Sequence, residues 1–293
     1  MTSPDAGDAP DSRRSGFLKR FVRARFDRRE RAIAASPLPA EEALSAAARI
    51  GALRAALSRR WPEPAQVRSL FGVRGLSSST LAARIGALEA RNRLVIRRLE
   101  GRPLDPFAPL VSWTPPTAAE GIPRPAILVT AHLGAIYLLA AALNRLNVPR
   151  LAIRWSEWHT PGHLERSAST AVGPERRTEV LRTAVATLRD GGFVTTVLDG
   201  AHGSTVPARI LDRDFRLSQG AFTLARLSGA PVIPIAALWE GDRIRAAVWP
   251  AVATPAEAAR WLEELLRSRP EQCSLGLLRR LLFDPAVGQP VEH

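Results

Sequence analysis

The stretch from Ala126 to Leu146, AILVTAHLGAIYLLAAALNRL, constrains this chain more than any other. It opens as an apolar run with β-branched Ile127, Val129 and Thr130, the composition of a strand buried on both faces. It then reaches His132 and Gly134 and passes into an Ala/Leu-rich segment long enough for a helix. A strand that ends at a histidine, turns on a glycine and opens a helix aims the new helix's first backbone N–H groups at whatever the histidine touches.

The same alternation continues to the end of the chain. Strands are expected at 126–131, 150–155, 193–198, 207–211, 231–238 and 243–249, and helices at 134–146, 175–190, 218–228, 255–268 and 270–282. Strands alternating with helices give an α/β fold, a largely parallel or mixed central sheet flanked by helices. Ahead of it stand helical additions. Phe17, Leu18, Phe21, Val22 and Phe26 recur at helical spacing over 15–35, Glu41 to Arg60 reads as a second helix, and a third runs from Ser78 to Leu99. Residues 102–125 are a Pro-rich connection in which Val111, Ser112 and Trp113 suit a short edge strand. The expected organisation is a disordered tail over 1–14, a basic helical region over 15–72 and an α/β domain over 73–293.

Charge narrows the partners. Lys and Arg number 41 against 28 Asp and Glu, a net charge of +13, and Lys19 is the only lysine. A GC-rich genome accounts for part of that arginine bias; the remainder points to an anionic partner. The helix over 15–35 rings its phenylalanines with arginines, which suits an anionic membrane interface and equally a helix whose Phe face packs on the protein. No recognised nucleic-acid module accompanies the charge, so no nucleic-acid partner is expected. Cys273 is the single cysteine, which excludes an internal disulfide and any multi-cysteine zinc site. The opening MTSPDAGDAPDS has acidic residues and no apolar centre, and no run approaches the length of a membrane span. A cytoplasmic, soluble or peripheral protein is expected.

Ligands of such sheets bind beyond the carboxyl ends of the strands. Three of those ends carry chemistry: Ala131-His132-Leu133-Gly134, Arg154-Trp155-Ser156-Glu157-Trp158-His159, and Asp199-Gly200-Ala201-His202-Gly203. A neutral histidine can take the proton of a hydroxyl or amine attacking an acyl carbon, although a single histidine after a strand is more often structural. His159 and His163 lie four apart with His202 elsewhere, but Pro161 and Gly162 argue against the helix that a two-histidine metal motif needs. No metal site and no cofactor are expected.

From about Ser78 to Phe283 the chain resembles the bacterial lipid A biosynthesis lauroyl/myristoyl acyltransferases, a branch of the lysophospholipid acyltransferase superfamily. Four segments carry the likeness in order: VTAHLGAIYLL, LRDGGFVTTVLDG, VPARILDRDFRLSQGAFTLARLSGAPVIPI and RPEQCSLGLLRRLL. The resemblance implies a glycerolipid acyltransferase-like fold. It also implies transfer of a fatty acyl chain from an acyl-carrier-protein or acyl-CoA thioester to a hydroxyl of a lipid or small polar acceptor, at the cytoplasmic face of the inner membrane. His132 would be the general base and Gly134 would let the backbone approach the substrate. Arg154, Arg176, Arg177 and Arg209 are candidate anion contacts, each otherwise a solvated surface arginine.

The family's motif places a carboxylate five residues after its histidine; here that residue is Tyr137, a phenol with no charge at neutral pH. Ala135, Ile136 and Cys273 also depart from the family's pattern, and the family's N-terminal membrane anchor is replaced by the basic helix. Three explanations stand open. A carboxylate from another strand end, Asp199 or Glu157, orients His132; an unusual acceptor supplies its own base or needs little activation; or catalysis is lost and the fold binds an acyl chain or lipid as a pseudoenzyme. Asp199 is the second catalytic candidate, and Tyr137 and Glu157 are placed with the substrate.

Overall fold

The structure is a computed structural model and describes residues 24–57, 64–72, 77–99, 105–146, 148–154, 168–171, 177–200 and 204–283. The described helices are α1 (24–35), α2 (Ala40–Leu57), α3 (Pro64–Phe71), α4 (Ser78–Leu99), α5 (Ile136–Asn144), α6 (Arg177–Arg189), α7 (Gly220–Ser228), α8 (Pro255–Ser268) and α9 (Leu275–Phe283). The strands are β1 (Val111–Thr114), β2 (Ala126–Thr130), β3 (Arg150–Arg154), β4 (Ala168–Ala171), β5 (Phe193–Val197), β6 (Thr205–Ile210), β7 (Arg213–Ser218), β8 (Val232–Glu240) and β9 (Arg243–Val248).

This is the expected α/β architecture. Seven strands form one sheet in the order β1-β9-β8-β2-β5-β3-β4, and β6 and β7 form a separate hairpin. From β8 to β4 every neighbouring pair is parallel; β9 is antiparallel to β8, and β1 runs parallel to β9. The sheet is therefore mixed, with its parallel part around β2.

β2 is buried at all five positions because its two faces meet different helices. Ile127 and Val129 join an apolar cluster with Phe71 of α3, Leu188 of α6, Phe222 of α7, Leu262 of α8 and Leu278 of α9. Ala126 and Leu128 join a second cluster with Leu44 of α2 and Leu138 of α5. Helix α4 enters both, through Leu81 and Ile85 on one side and Leu88 and Leu94 on the other. A parallel strand needs cover on both faces, and its unbroken apolar sequence reflects that.

The predicted strands agree with the observed ones to within two residues at each end, but no strand is predicted over β7 (Arg213–Ser218), whose charged Arg213, Asp214 and Arg216 obscure its alternation and which forms by pairing with β6. Three further details differ. Residues 270–282 form not one helix but a short 3-10 turn, Pro270–Gln272, followed by α9. Ser274 restarts the helix, its hydroxyl accepting from the Leu277 N–H. Strand β4 (ASTA) and helix α3 carry too weak an apolar pattern to announce themselves.

Of the basic helix expected over 15–35, residues 24–35 are described. Phe26 is buried, and so is Glu30, whose carboxylate accepts from Arg93 at 2.8 and 2.9 Å and from Arg97 and Arg54 at 3.3 and 3.4 Å. Asp27 pairs with Arg54 at 2.8 Å. This part of the helix packs inward on α2 and α4, with Arg25, Arg28, Arg29 and Arg31 exposed on the outside. Phe17, Leu18, Phe21 and Val22, like the tail over 1–14, lie outside the described residues. No described helix is long and apolar enough to cross a membrane.

Candidate active site

Parallel pairing of β2 with β5 sets Thr130 opposite Val197, and the Leu198 N–H donates to the Thr130 carbonyl at 2.7 Å. Two residues past that pair, His132 follows β2 and Asp199 follows β5. The Asp199 carboxylate lies 3.1 Å from His132 Nδ1 through either oxygen, and also accepts from the His132 backbone N–H at 3.0 and 3.1 Å. Carboxylate and imidazole are thus locked twice.

An ionised carboxylate can only accept, so Nδ1 carries the proton and the Nε2 lone pair is left for other partners. The imidazole side chain is 48% exposed and the Asp199 side chain 2% exposed. Among the described residues the ring hydrogen-bonds to Asp199 alone, through Nδ1.

The two charges tune one another. The Asp199 charge raises the His132 pKa above the ordinary histidine value against the cost of desolvation; Glu89 adds to the rise and Arg280 opposes it. Burial would push the Asp199 carboxyl up, but the His132 charge, its two hydrogen bonds and Arg280 together hold it below the usual range.

The His132 loop is built by backbone contacts. Gly134 adopts φ +55°, and a Cβ there would stand 2.1 Å from the Ala237 carbonyl oxygen of β8. Its N–H donates to the Gln272 carbonyl at 2.7 Å, and its own carbonyl accepts from Asn92 Nδ2 at 2.9 Å. The Ala135 N–H donates to Ala237 at 2.7 Å. The Gln272 side chain clasps the backbone of Trp239, accepting from its N–H at 2.9 Å and donating to its carbonyl at 3.0 Å. The turn after Pro270 is thereby fixed to β8, and the histidine loop is fixed to that turn.

The remaining predicted residues fall as follows. Tyr137, in the first turn of α5, is 45% exposed; partial burial of its hydroxyl and the Glu89 charge push its pKa up, so the phenol stays neutral. The carboxylate partner of His132 comes from β5 and not from this position. The close approach that Gly134 permits is to β8. Arg154 ends β3, beyond β5 at the carboxyl edge, and Arg177 opens α6. Arg209 is exposed on the β6–β7 hairpin, opposite Asp214. Glu157 and Arg176 lie outside the described residues, as do His159, His163 and His202.

Cys273, bridged to Leu133 on the inner side of the loop, is fully buried; burial, then Asp199 and Glu89, push its thiol pKa well up. It is no nucleophile. What remains is a base with an orienting acid, a pair able to take a proton from a bound hydroxyl. Asn92, Gln272, Glu89 and Arg280 carry no individual signal in the sequence. Gln272 and Arg280 fall in RPEQCSLGLLRRLL, where only the order of the segments along the chain marks them, and Asn92 is one polar residue in an arginine-rich helix.

No family model and no curated protein matches this chain. Among solved structures it is similar to the 1-acyl-sn-glycerophosphate (LPA) acyltransferase PlsC from Thermotoga maritima. The TM-score is 0.36 at 16% identity, with 61% of this chain and 80% of that one covered. A likeness at that level carries neither activity nor substrate across.

Proposed function

We propose that this protein is an acyltransferase that moves a fatty acyl chain from an acyl-carrier-protein or acyl-CoA thioester to a hydroxyl of a lipid or small polar acceptor. The observation that carries the reading is the half-exposed His132 held through Nδ1 by the buried Asp199. Nε2 takes the hydroxyl proton as the acceptor oxygen bonds to the thioester carbon. The tetrahedral intermediate collapses with rupture of the C–S bond, and the proton on Nε2 passes to the departing thiolate. Asp199 keeps the imidazole in the right tautomer and stabilises its cation. No serine or cysteine among the described residues is bonded to the ring, which favours direct transfer over a covalent acyl-enzyme.

The likeness of the four sequence segments supports the finer proposal that the protein belongs with the lipid A lauroyl/myristoyl branch and acts as a peripheral protein on the cytoplasmic face of the inner membrane. In this reading Arg154, Arg176, Arg177 and Arg209 contact the anionic groups of donor or acceptor, with Tyr137 and Glu157 around the substrate, while Gly134 shapes the histidine loop against β8. The inactive alternative expects a histidine walled in by apolar side chains; a carboxylate-paired, half-exposed imidazole weighs against it.

The test is incubation of the purified protein with acyl-carrier-protein and acyl-CoA thioesters of several chain lengths plus a lipid extract, with products read by mass spectrometry. An acylated lipid formed by the wild type and lost in His132→Ala is expected. Wild type and His132→Ala giving the same lipid profile would overturn the reading.

A further inference from the structure

The dyad's carboxylate is only as well placed as the loop that bears it, and a side chain from a distant element grips that loop. Arg280 of α9 donates through Nη1 to the backbone carbonyl of Asp199 itself. Its Nη2 donates to the Arg216 carbonyl of β7 at 3.4 Å, and the guanidinium lies 4.5 Å over the ring of Phe215. One peptide earlier, the Ser218 N–H of β7 donates to the Leu198 carbonyl at 2.7 Å. One planar fork therefore ties the Asp199 loop to the hairpin, and the buried Phe215 sets the plane of that fork.

Helix α9 is itself pinned at the opposite end. Its first N–H, that of Leu275, donates to Glu89 of α4, and Ser274 caps the turn. The Ser274 N–H also donates to the carbonyl of His132 at 3.3 Å. One end of the Ser274–Arg280 segment thus holds the histidine loop and the other holds the aspartate loop.

We infer that Arg280 is a positioning residue of the proposed acyl-transfer reaction, acting through Asp199 by fixing the peptide that carries it. The inference rests on the acyl-transfer reading. Arg280 does not touch the reacting atoms; it holds the backbone carbonyl of the residue that carries the carboxylate. Its charge also acts on the pair: the charged groups facing His132 are Asp199 and Glu89, which favour the imidazolium, and Arg280, which opposes it.

Arg280→Met is expected to lower kcat roughly 10- to 100-fold while leaving KM for the thioester near the wild-type value. It should also move the titration midpoint of His132 upward, followed by NMR of the imidazole signal that is missing from His132→Ala. Arg280→Lys keeps the charge but cannot fork to both carbonyls, so it should restore the midpoint and only part of kcat. Arg280→Met with native thermal stability, wild-type kcat and an unmoved midpoint overturns the inference. Should Arg280→Met fail to fold, Arg280→Lys decides: reduced kcat with an unmoved midpoint supports the positioning role, and unchanged kcat sinks it. A His132→Ala protein that still transfers acyl chains refutes the reaction itself, a separate outcome.

Discussion

Asp199 stands directly across from His132, each two residues past the paired Thr130 and Val197 of adjacent parallel strands. The sheet supplies this proximity without any turn chemistry: once β2 and β5 are in register, the two side chains emerge at the same height on the carboxyl edge. In the proposed reaction Asp199 takes the part of the carboxylate that the resembled family carries five residues after its histidine.

Asp199→Asn tests the pair directly. The amide keeps the shape but loses the charge that stabilises the imidazolium, and it can offer an N–H to Nδ1 and so select the wrong tautomer. Removal of the orienting carboxylate is expected to lower kcat by about 10⁴-fold, measured as acyl product per unit time with KM followed separately.

The pH profile follows from the raised His132 pKa. A base must be neutral, so kcat/KM should fall on the acid side with a midpoint above about 6.5, the unperturbed histidine value. The Asp199→Asn midpoint should lie below that of the wild type. Stability runs with its own signs. The raised His132 adds stability that is full below its unfolded value and is lost as pH rises through its folded value. The depressed Asp199 adds stability present above its unfolded value and lost as pH falls through its folded value. Thermal melts should show the dyad's contribution greatest between about pH 4 and about pH 6.5, and absent in Asp199→Asn.

Gly134→Ala meets two obstacles at once. Positive φ costs roughly 1–3 kcal/mol for a residue with a Cβ, and the Ala237 carbonyl occupies the space that the methyl needs. The backbone must move, and His132 moves with it. A lowered thermal midpoint together with lost activity is expected. Tyr137→Phe should leave both near wild type, because the carboxylate function resides at Asp199.

How far the sequence announces this arrangement depends on what each element rests upon. Helix α8 is legible at its start because its signals there are local: Thr254 accepts from the Glu257 N–H at 3.2 Å and Pro255 takes the first helical position. β2 is legible from its unbroken apolar run. β4 is not, since Ala168–Ala171 becomes a strand by pairing with β3. At the site, His132 and Asp199 each stand out at a strand end, but their pairing depends on β2 lying beside β5, and strand order is a tertiary fact. Asn92, Gln272 and Arg280 are silent for the same reason, because each acts on backbone groups far away in the chain.

The basic N-terminal helix separates into two testable parts. Residues 24–35 serve the fold: Glu30→Ala would leave Arg54, Arg93 and Arg97 without their shared buried carboxylate. It is expected to destabilise the protein by about 1–3 kcal/mol, read from denaturant unfolding. A chain lacking residues 1–23 keeps every member of that cluster. If the arginines and phenylalanines ahead of residue 24 hold an anionic membrane, this truncation should abolish salt-sensitive binding to vesicles containing anionic lipid while stability stays unchanged. Undiminished vesicle binding after the truncation would assign any surface attraction to Arg25, Arg28, Arg29 and Arg31, which stay exposed on the folded part of the helix.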